Sequence, residues 1–173
     1  MATSSKRTTK RAPATAAAAK ADATLLLERD HDEVSKLFKQ YEKLAKAGAA
    51  SSDREALAET ICMMLTVHAT CEEEIFYPAA RVAEVDDDLL DEAEVEHAGA
   101  KDLIAQVRAM DPDDDLYDAK VKVLGEYIDH HVEEEEGEMF PKCRKSDMDL
   151  AGLAQQIAER KAQLMADEAE TAA

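Results

Sequence analysis

A chain of 173 residues with a net charge of −18 is long enough for one ordinary domain, and its acidity disfavours binding to phosphate backbones and membrane surfaces. Only 4% of the residues are aromatic and none is Trp, so the composition favours helices over strands. No apolar run approaches the roughly 20 residues that cross a bilayer, and three cysteines without a close pair predict reduced thiols in the cytoplasm.

The charge is unevenly distributed along the chain. Residues 1–20 contain five basic and no acidic side chains, so the remaining residues carry −23. We expect residues 1–21 to form a disordered basic N-terminal arm that precedes an acidic body. Nucleic-acid binding would have to depend on this arm alone.

Turn and capping signals divide the rest of the chain into helices. Residues 48–52 end the first apolar pattern, and Ser52 with Glu55 forms a capping box for the second helix. Asp86 or Asp87 can cap the third helix. The predicted helices lie near residues 22–46, 53–82, 87–110, 113–143 and 147–167.

The last two of these helices have their own start signals. Asp111, which precedes a proline, is typical of a helix N-cap, and Ser146 with Asp149 can open a shorter fifth helix. Helices joined by short loops pack antiparallel to their neighbours. We therefore predict an all-α fold: an antiparallel up-down four-helix bundle over residues 22–143, followed by a short C-terminal helix and tail over residues 144–173.

Each of the first four helices carries one histidine in its apolar seam. A single histidine in such a seam is more often a hydrogen-bonded core residue than a metal ligand, but four of them, one per helix, indicate a shared site. Glu72 and Glu135 follow two of these histidines by one helical turn, and a buried carboxylate is costly unless it is paired or binds a metal. The histidines are His31, His68, His97 and His131.

The heights of the histidines along the bundle axis support a shared site. At 1.5 Å per residue, His31 lies about 26 Å from the first loop and His68 about 24 Å from it, so antiparallel helices bring them to one level. An internal repeat points the same way: His68 opens HATCEEEIFYP and His131 opens HVEEEEGEMFP. Both copies run H-x-x-x-E, which places an imidazole and a carboxylate on one helix face within reach of one metal or two adjacent metals.

These motifs, over about residues 24–143, resemble the hemerythrin-like proteins with an HHE cation-binding domain. The family pattern of a lone His, then H-x-x-x-E, then the same pair again, matches six residues. They are His31, His68, Glu72, His97, His131 and Glu135. The resemblance implies a non-haem centre of two iron ions bridged by both glutamates and by oxo or hydroxo, with His31 and His68 on one iron and His97 and His131 on the other.

The resemblance also implies a ligand class: dioxygen, another small diatomic molecule or peroxide. Imidazole and carboxylate ligands suit manganese and zinc as well as iron. The oxygen-carrying hemerythrins place two histidines four residues apart on the third helix, whereas Ala93 and Lys101 flank His97 here. Relatives with this reduced set include oxygen and iron sensors and proteins of peroxide or nitric oxide stress, so binding, sensing and weak peroxide degradation stay open. The place of the absent histidine ligand can be taken by water, Glu94, Glu96 or His130.

Three alternatives follow from the same residues. His130 competes with His131, because it also steps along an apolar seam. Ferritin-like di-iron enzymes use Glu-x-x-His, and Glu28 and Glu94 have that spacing to the next histidine. An acidic helical interaction module without a functional metal is the third possibility.

Overall fold

The computed structural model describes residues 22–171, and within this range every regular element is helical, which confirms the all-helical prediction. The arm predicted for residues 1–21 lies outside the described residues. Between residues 22 and 171 we find no helix with the length and apolar character needed to cross a bilayer. The helices are α1 (Ala23–Lys46), α2 (Ser51–Cys71), α3 (Tyr77–Val82), α4 (Asp87–Arg108), α5 (Tyr117–Glu134), α6 (Phe140–Cys143) and α7 (Leu150–Thr171).

Helix α2 continues into α3 through a π-helical turn, Glu72–Phe76, that the sequence did not predict. Pro78 follows this turn; it has no N–H to donate, and its ring would clash with the carbonyl four residues earlier in a regular α-helix. The wider turn removes that conflict, and the N–H of Tyr77 donates to the carbonyl of Glu72, five residues back. The second copy of the repeat has the same arrangement between α5 and α6, with the turn Glu135–Met139 followed by Pro141.

Two of the predicted helix starts can be compared with the observed caps. The carboxylate of Asp86 accepts a hydrogen bond from the N–H of Leu89 at 3.3 Å, so the predicted cap of α4 is confirmed. The predicted capping box of Ser52 and Glu55 is wrong, because α2 already begins at Ser51. Its N-cap residue, Ala50, has no side-chain hydrogen bond to give.

Helix α5 begins at Tyr117 rather than near residue 113. The Asp111 carboxylate accepts from the N–H of Asp113 at 2.9 Å, and the N–H of Asp111 donates to the Asp114 carboxylate at 3.2 Å. These local hydrogen bonds stabilise a turn instead of a helical start. The acidic run after the proline therefore belongs to the loop.

The C-terminal helix was predicted near residues 147–167 and spans Leu150–Thr171, so it has about the predicted length but begins three residues later. Its start is supported by Asp149, whose carboxylate accepts from the N–H of Gly152 at 3.0 Å. Helix α7 packs against α1, α2 and the first π-helical turn, and it buries Ile157 completely. Burial of this apolar face explains its length, since a helix of this size gains most of its stability from packing. The domain boundary between residues 143 and 144 stays a prediction.

The four long helices before α7 pack in a ring, with α1 against α2 and α5, and α4 against α2 and α5. Contacts at one end show the relative directions: Asp118, near the start of α5, accepts from Tyr41 near the end of α1 and from Arg54 near the start of α2, both at 2.6 Å. Helix α1 therefore runs opposite to both of these neighbours.

The core consists of two apolar clusters with a polar layer between them. Along α1, α2 and α4 the apolar contacts change from one cluster to the other at the predicted histidine. On α1, for example, Leu27 belongs to the first cluster and Val34 to the second, and His31 lies between them. On α4 the same holds for Ala93, His97 and Ala100. Buried polar side chains thus form one layer across the bundle.

Candidate metal centre

The structure brings all six predicted residues together in the polar layer. The Nε2 atoms of His31 and His68 lie 3.0 Å apart, and those of His97 and His131 lie 3.1 Å apart. We call the first pair the first half-site and the second pair the second half-site. Five of the six side chains are buried, and His68 keeps 11% of its side chain exposed.

The two glutamates lie between the half-sites. One Glu72 oxygen is 3.1 Å from Nε2 of His68 and 3.4 Å from Nε2 of His97. One Glu135 oxygen is 3.3 Å from Nε2 of His31 and 3.6 Å from Nε2 of His131. Each carboxylate therefore reaches one histidine of each half-site, which is the placement that a bridging ligand needs.

The donor set fits bound cations. Glu72 is 0% exposed and Glu135 is 1% exposed. Both Glu72 oxygens and one Glu135 oxygen accept no hydrogen bond from any residue between 22 and 171. Such orphaned carboxylate oxygens are costly unless a cation compensates them. Two overlapping groups of donors could each hold one ion: His31, His68, Glu72 and Glu135; and Glu72, His97 and His131.

A second layer of carboxylates surrounds the imidazoles, and sequence reasoning missed it. Each of the four rings turns its Nδ1 atom towards an acidic side chain. Partners of this kind fix the tautomer and the orientation of a ligating histidine. The distances are 2.9 Å for His31 to Glu136, 2.9 Å for His97 to Glu73, 2.7 Å for His131 to Glu96, and 3.6 Å for His68 to Asp30.

The signal for this second layer was present in the repeat. Asp30 and Glu96 directly precede the lone histidines of α1 and α4, and Glu73 and Glu136 directly follow Glu72 and Glu135. The residues beside the predicted ligands are thus the partners of ligands on other helices. A search for acidic neighbours at equivalent positions of the two copies would have found them.

The electrostatics of the metal-free centre follow from this crowding. Burial alone would lower the pKa of His68, but the charge of Glu72 and the contact with Asp30 raise that pKa from 6.5 to about 10. Burial would raise the pKa of Glu72, yet His68 and His97 hold it well below 4.5. Protons on imidazoles therefore compensate the carboxylates when no cation is bound. Metal binding must displace those protons, so it depends on pH.

Tyr77 is a further residue that sequence reasoning missed. Its hydroxyl donates to a Glu135 oxygen at 2.8 Å and lies 3.2 Å from Nε2 of His97. Burial and the charge of Glu135 raise the pKa of this phenol well above its ordinary value. In the second copy of the repeat the equivalent residue is Phe140, which stacks on the ring of His31 with centroids 5.9 Å apart. The half-sites thus differ by one phenol hydroxyl.

The residues named in the alternatives lie elsewhere. His130 is 61% exposed, so the structure brings His131 and not His130 to the other predicted ligands. Glu94 pairs with Arg81 at 2.9 Å, and Glu28 pairs with Arg144, so both face arginines rather than the histidines. Glu96 contacts Nδ1 of His131, on the opposite side of the ring from the Nε2 atom that faces His97. The Tyr77 hydroxyl, in contrast, lies 3.2 Å from Nε2 of His97, in the second half-site.

A cavity of about 270 Å³ lies beside the four histidines. Its wall is formed mostly by apolar side chains of α2, α4 and α5, so a small uncharged molecule fits it better than a charged one. The apolar residues that line the cavity include Met63, Met64, Ala100, Ile104, Ile128 and Val132.

Comparison with known proteins identifies the family. The profile of the hemerythrin HHE cation-binding domain matches residues 22–143. The chain belongs to the hemerythrin HHE cation-binding domain family. This confirms the resemblance read from the sequence.

Two further similarities concern individual proteins. A crystal structure of an HHE cation-binding domain protein from Mycobacterium kansasii superposes with a TM-score of 0.70 at 22% identity, covering 84% of this chain and 88% of that one, which shows a shared fold. A DNA nickase of Nostoc sp. is 28% identical over 124 residues, or 70% of this chain. The chain spans only 33% of the length of that curated relative.

Proposed function

We propose that this HHE domain binds two iron ions as a non-haem di-iron centre. In this proposal His31 and His68 hold one iron, His97 and His131 hold the other, and the two glutamates bridge them. The observation that supports it is the position of Glu72 and Glu135: each reaches both half-sites, and three of their four buried oxygen atoms accept no hydrogen bond from residues 22–171.

The proposed ligand of the centre is dioxygen, another small diatomic molecule or peroxide. The apolar cavity of about 270 Å³ beside the histidines supports this class, because it disfavours entry of charged molecules. Bound iron would supply the electrons for binding such a ligand. The protein's own residues orient the imidazoles through their Nδ1 partners, keep bulk water out through the surrounding apolar clusters, and hold a phenol proton on Tyr77 next to Glu135.

The setting proposed for this activity is a response to oxygen, peroxide or nitric oxide in the cytoplasm. The three cysteines are free and buried, which suits a reducing compartment. We do not extend DNA cleavage to this chain from the nickase that it partly matches. The chain spans 33% of that protein, and an acidic body repels phosphate backbones.

Iron counting with a matched pair of variants tests the proposal. Metal-free protein is loaded with ferrous salt under nitrogen, freed of unbound iron and analysed for metal. We expect about two iron atoms per chain, and at most about one after His131→Ala. His130→Ala is the control, because this exposed neighbour should leave the iron content unchanged. Unmodified protein that retains no iron would favour the acidic interaction module instead.

The same loaded protein separates the ligand classes. Exposure to air followed by argon, with the absorption spectrum recorded at each step, reports reversible dioxygen binding. Nitric oxide is tested in the same way under nitrogen. Consumption of added peroxide over many turnovers would indicate a peroxide-degrading enzyme, and the His131→Ala variant should lose that consumption while His130→Ala keeps it.

A further inference from the structure

Helix α7 lies outside the region that matches the family profile, yet it packs directly against the helices that carry the first half-site. The profile ends at residue 143, and α7 begins at Leu150. It contacts α1, α2 and the π-helical turn that begins at Glu72. Two adjacent basic residues of α7, Arg160 and Lys161, point to different partners on these elements.

Lys161 connects α7 to a histidine of the centre through one carboxylate. Its Nζ atom donates to one oxygen of Asp30 at 2.5 Å, and the other Asp30 oxygen lies 3.6 Å from Nδ1 of His68. Asp30 is only 9% exposed, so it needs a nearby positive charge. Lys161 supplies that charge, and its hydrogen bond fixes the position of the Asp30 carboxylate.

The contact between Asp30 and His68 is the loosest of the four Nδ1 contacts. The other three measure 2.7–2.9 Å, whereas Nδ1 of His68 is buried and makes no hydrogen bond within residues 22–171. At the corresponding place in the second half-site, Glu96 bonds directly to His131 at 2.7 Å. Nδ1 of His68 thus faces a carboxylate that is itself bonded to α7, whereas Glu96, the direct partner of His131, lies on α4.

We propose that Lys161 is a positioning residue of the metal centre, which holds Asp30 against His68 and so makes α7 a determinant of metal retention in the first half-site. This inference rests on the proposed function, since it assumes that both half-sites bind iron. Without Lys161 the buried Asp30 carboxylate turns towards water, and the His68 ring loses the negative charge that faces its Nδ1 atom. The second half-site keeps all of its own partners.

Arg160 provides a matched control on the same helix. Its guanidinium pairs with both oxygens of the partly exposed Glu74 at 2.7 and 3.0 Å. Arg160→Met removes an ion pair that docks α7, whereas Lys161→Met removes an ion pair that docks α7 and also holds Asp30. Lys161→Arg restores the positive charge and serves as the rescue.

The experiment measures iron release from the loaded full-length chain to a ferrous chelator under nitrogen. We expect one of the two iron atoms to leave about tenfold faster in Lys161→Met, with the other unchanged. Arg160→Met should behave as the unmodified protein, and Lys161→Arg should restore slow release. Mössbauer spectra of the loaded proteins should show a change in one of two iron signals in Lys161→Met only.

Three results would overturn the inference. They are equal release rates from Lys161→Met and Arg160→Met, equal acceleration of both iron atoms, and failure of Lys161→Arg to restore slow release. Each of these leaves the di-iron proposal intact, because the unmodified protein still binds two ions. Unmodified protein that binds no iron overturns both proposals together. Thermal unfolding of the metal-free variants shows whether the two substitutions loosen α7 to the same extent.

Discussion

The two half-sites are built from the same repeated pattern but are not equivalent. Each has two histidines with adjacent Nε2 atoms, and both share the two glutamates. Tyr77 places a hydroxyl in the second half-site, where the first has the ring of Phe140. Helix α7, which follows the matched region, bonds through Lys161 to Asp30, the carboxylate that faces His68 of the first half-site. The repeat thus produces two similar half-sites, and neighbouring residues make them different.

Removing a bridging glutamate should have the largest effect, because it damages both half-sites at once. In both Glu72→Ala and Glu135→Ala we expect the iron content to fall from about two atoms per chain to below about one. Loss of one iron only, as expected for His131→Ala, would show that the glutamates belong to single half-sites. Metal analysis after anaerobic loading measures this, with Glu74→Ala as an acidic control on the same π-helical turn.

The metal-free protein should lose stability as the pH rises, through His68 in the first half-site. The pKa of this histidine is raised from 6.5 to about 10 in the folded chain. Its stabilising contribution is therefore complete below pH 6.5 and is lost as the pH rises through about 10. Thermal unfolding of chelator-treated protein at several pH values checks this. His68→Asn should show a smaller loss over the same range, and an equal loss would contradict the assignment to His68.

Tyr77→Phe should make the second half-site more like the first. The variant removes a hydrogen bond to the Glu135 carboxylate, which should lower the free energy of unfolding of the metal-free protein by about 1–3 kcal/mol. Two iron atoms should still bind, with a changed signal from one of them. Denaturant unfolding and Mössbauer spectra give the two readouts. Unchanged stability and spectra would mean that the hydroxyl does not distinguish the half-sites.

The smallest expected effect concerns a carboxylate at the rim. Glu136 bonds to Nδ1 of His31 at 2.9 Å and is 40% exposed. Glu136→Gln should speed the release of one iron by about tenfold or less, because the weaker acceptor still orients the ring. Glu138→Gln, two residues later and 64% exposed, should leave release unchanged. Similar rates in both variants would remove Glu136 from the set of orienting residues.

The predictions from sequence succeeded where a local pattern carried the information. Apolar steps of three and four residues placed the helices, and the internal repeat, in which His131 takes the place of His68, favoured His131 over His130. The start of α5 was predicted wrongly, and α7 begins three residues later than predicted. Asp111 makes turn hydrogen bonds that compete with a helix cap, and α7 is stabilised by packing against α1 and α2.

The sequence by itself determined that the chain is helical and which six polar residues occur at buried, equivalent positions, since helical period and repeat spacing are local properties. Only the tertiary structure decided which side chains meet. The π-helical turns set the direction of Glu72 and Glu135, and the Nδ1 partner of each histidine comes from another helix. These contacts depend on how the helices pack, and no spacing along a single helix contains that information.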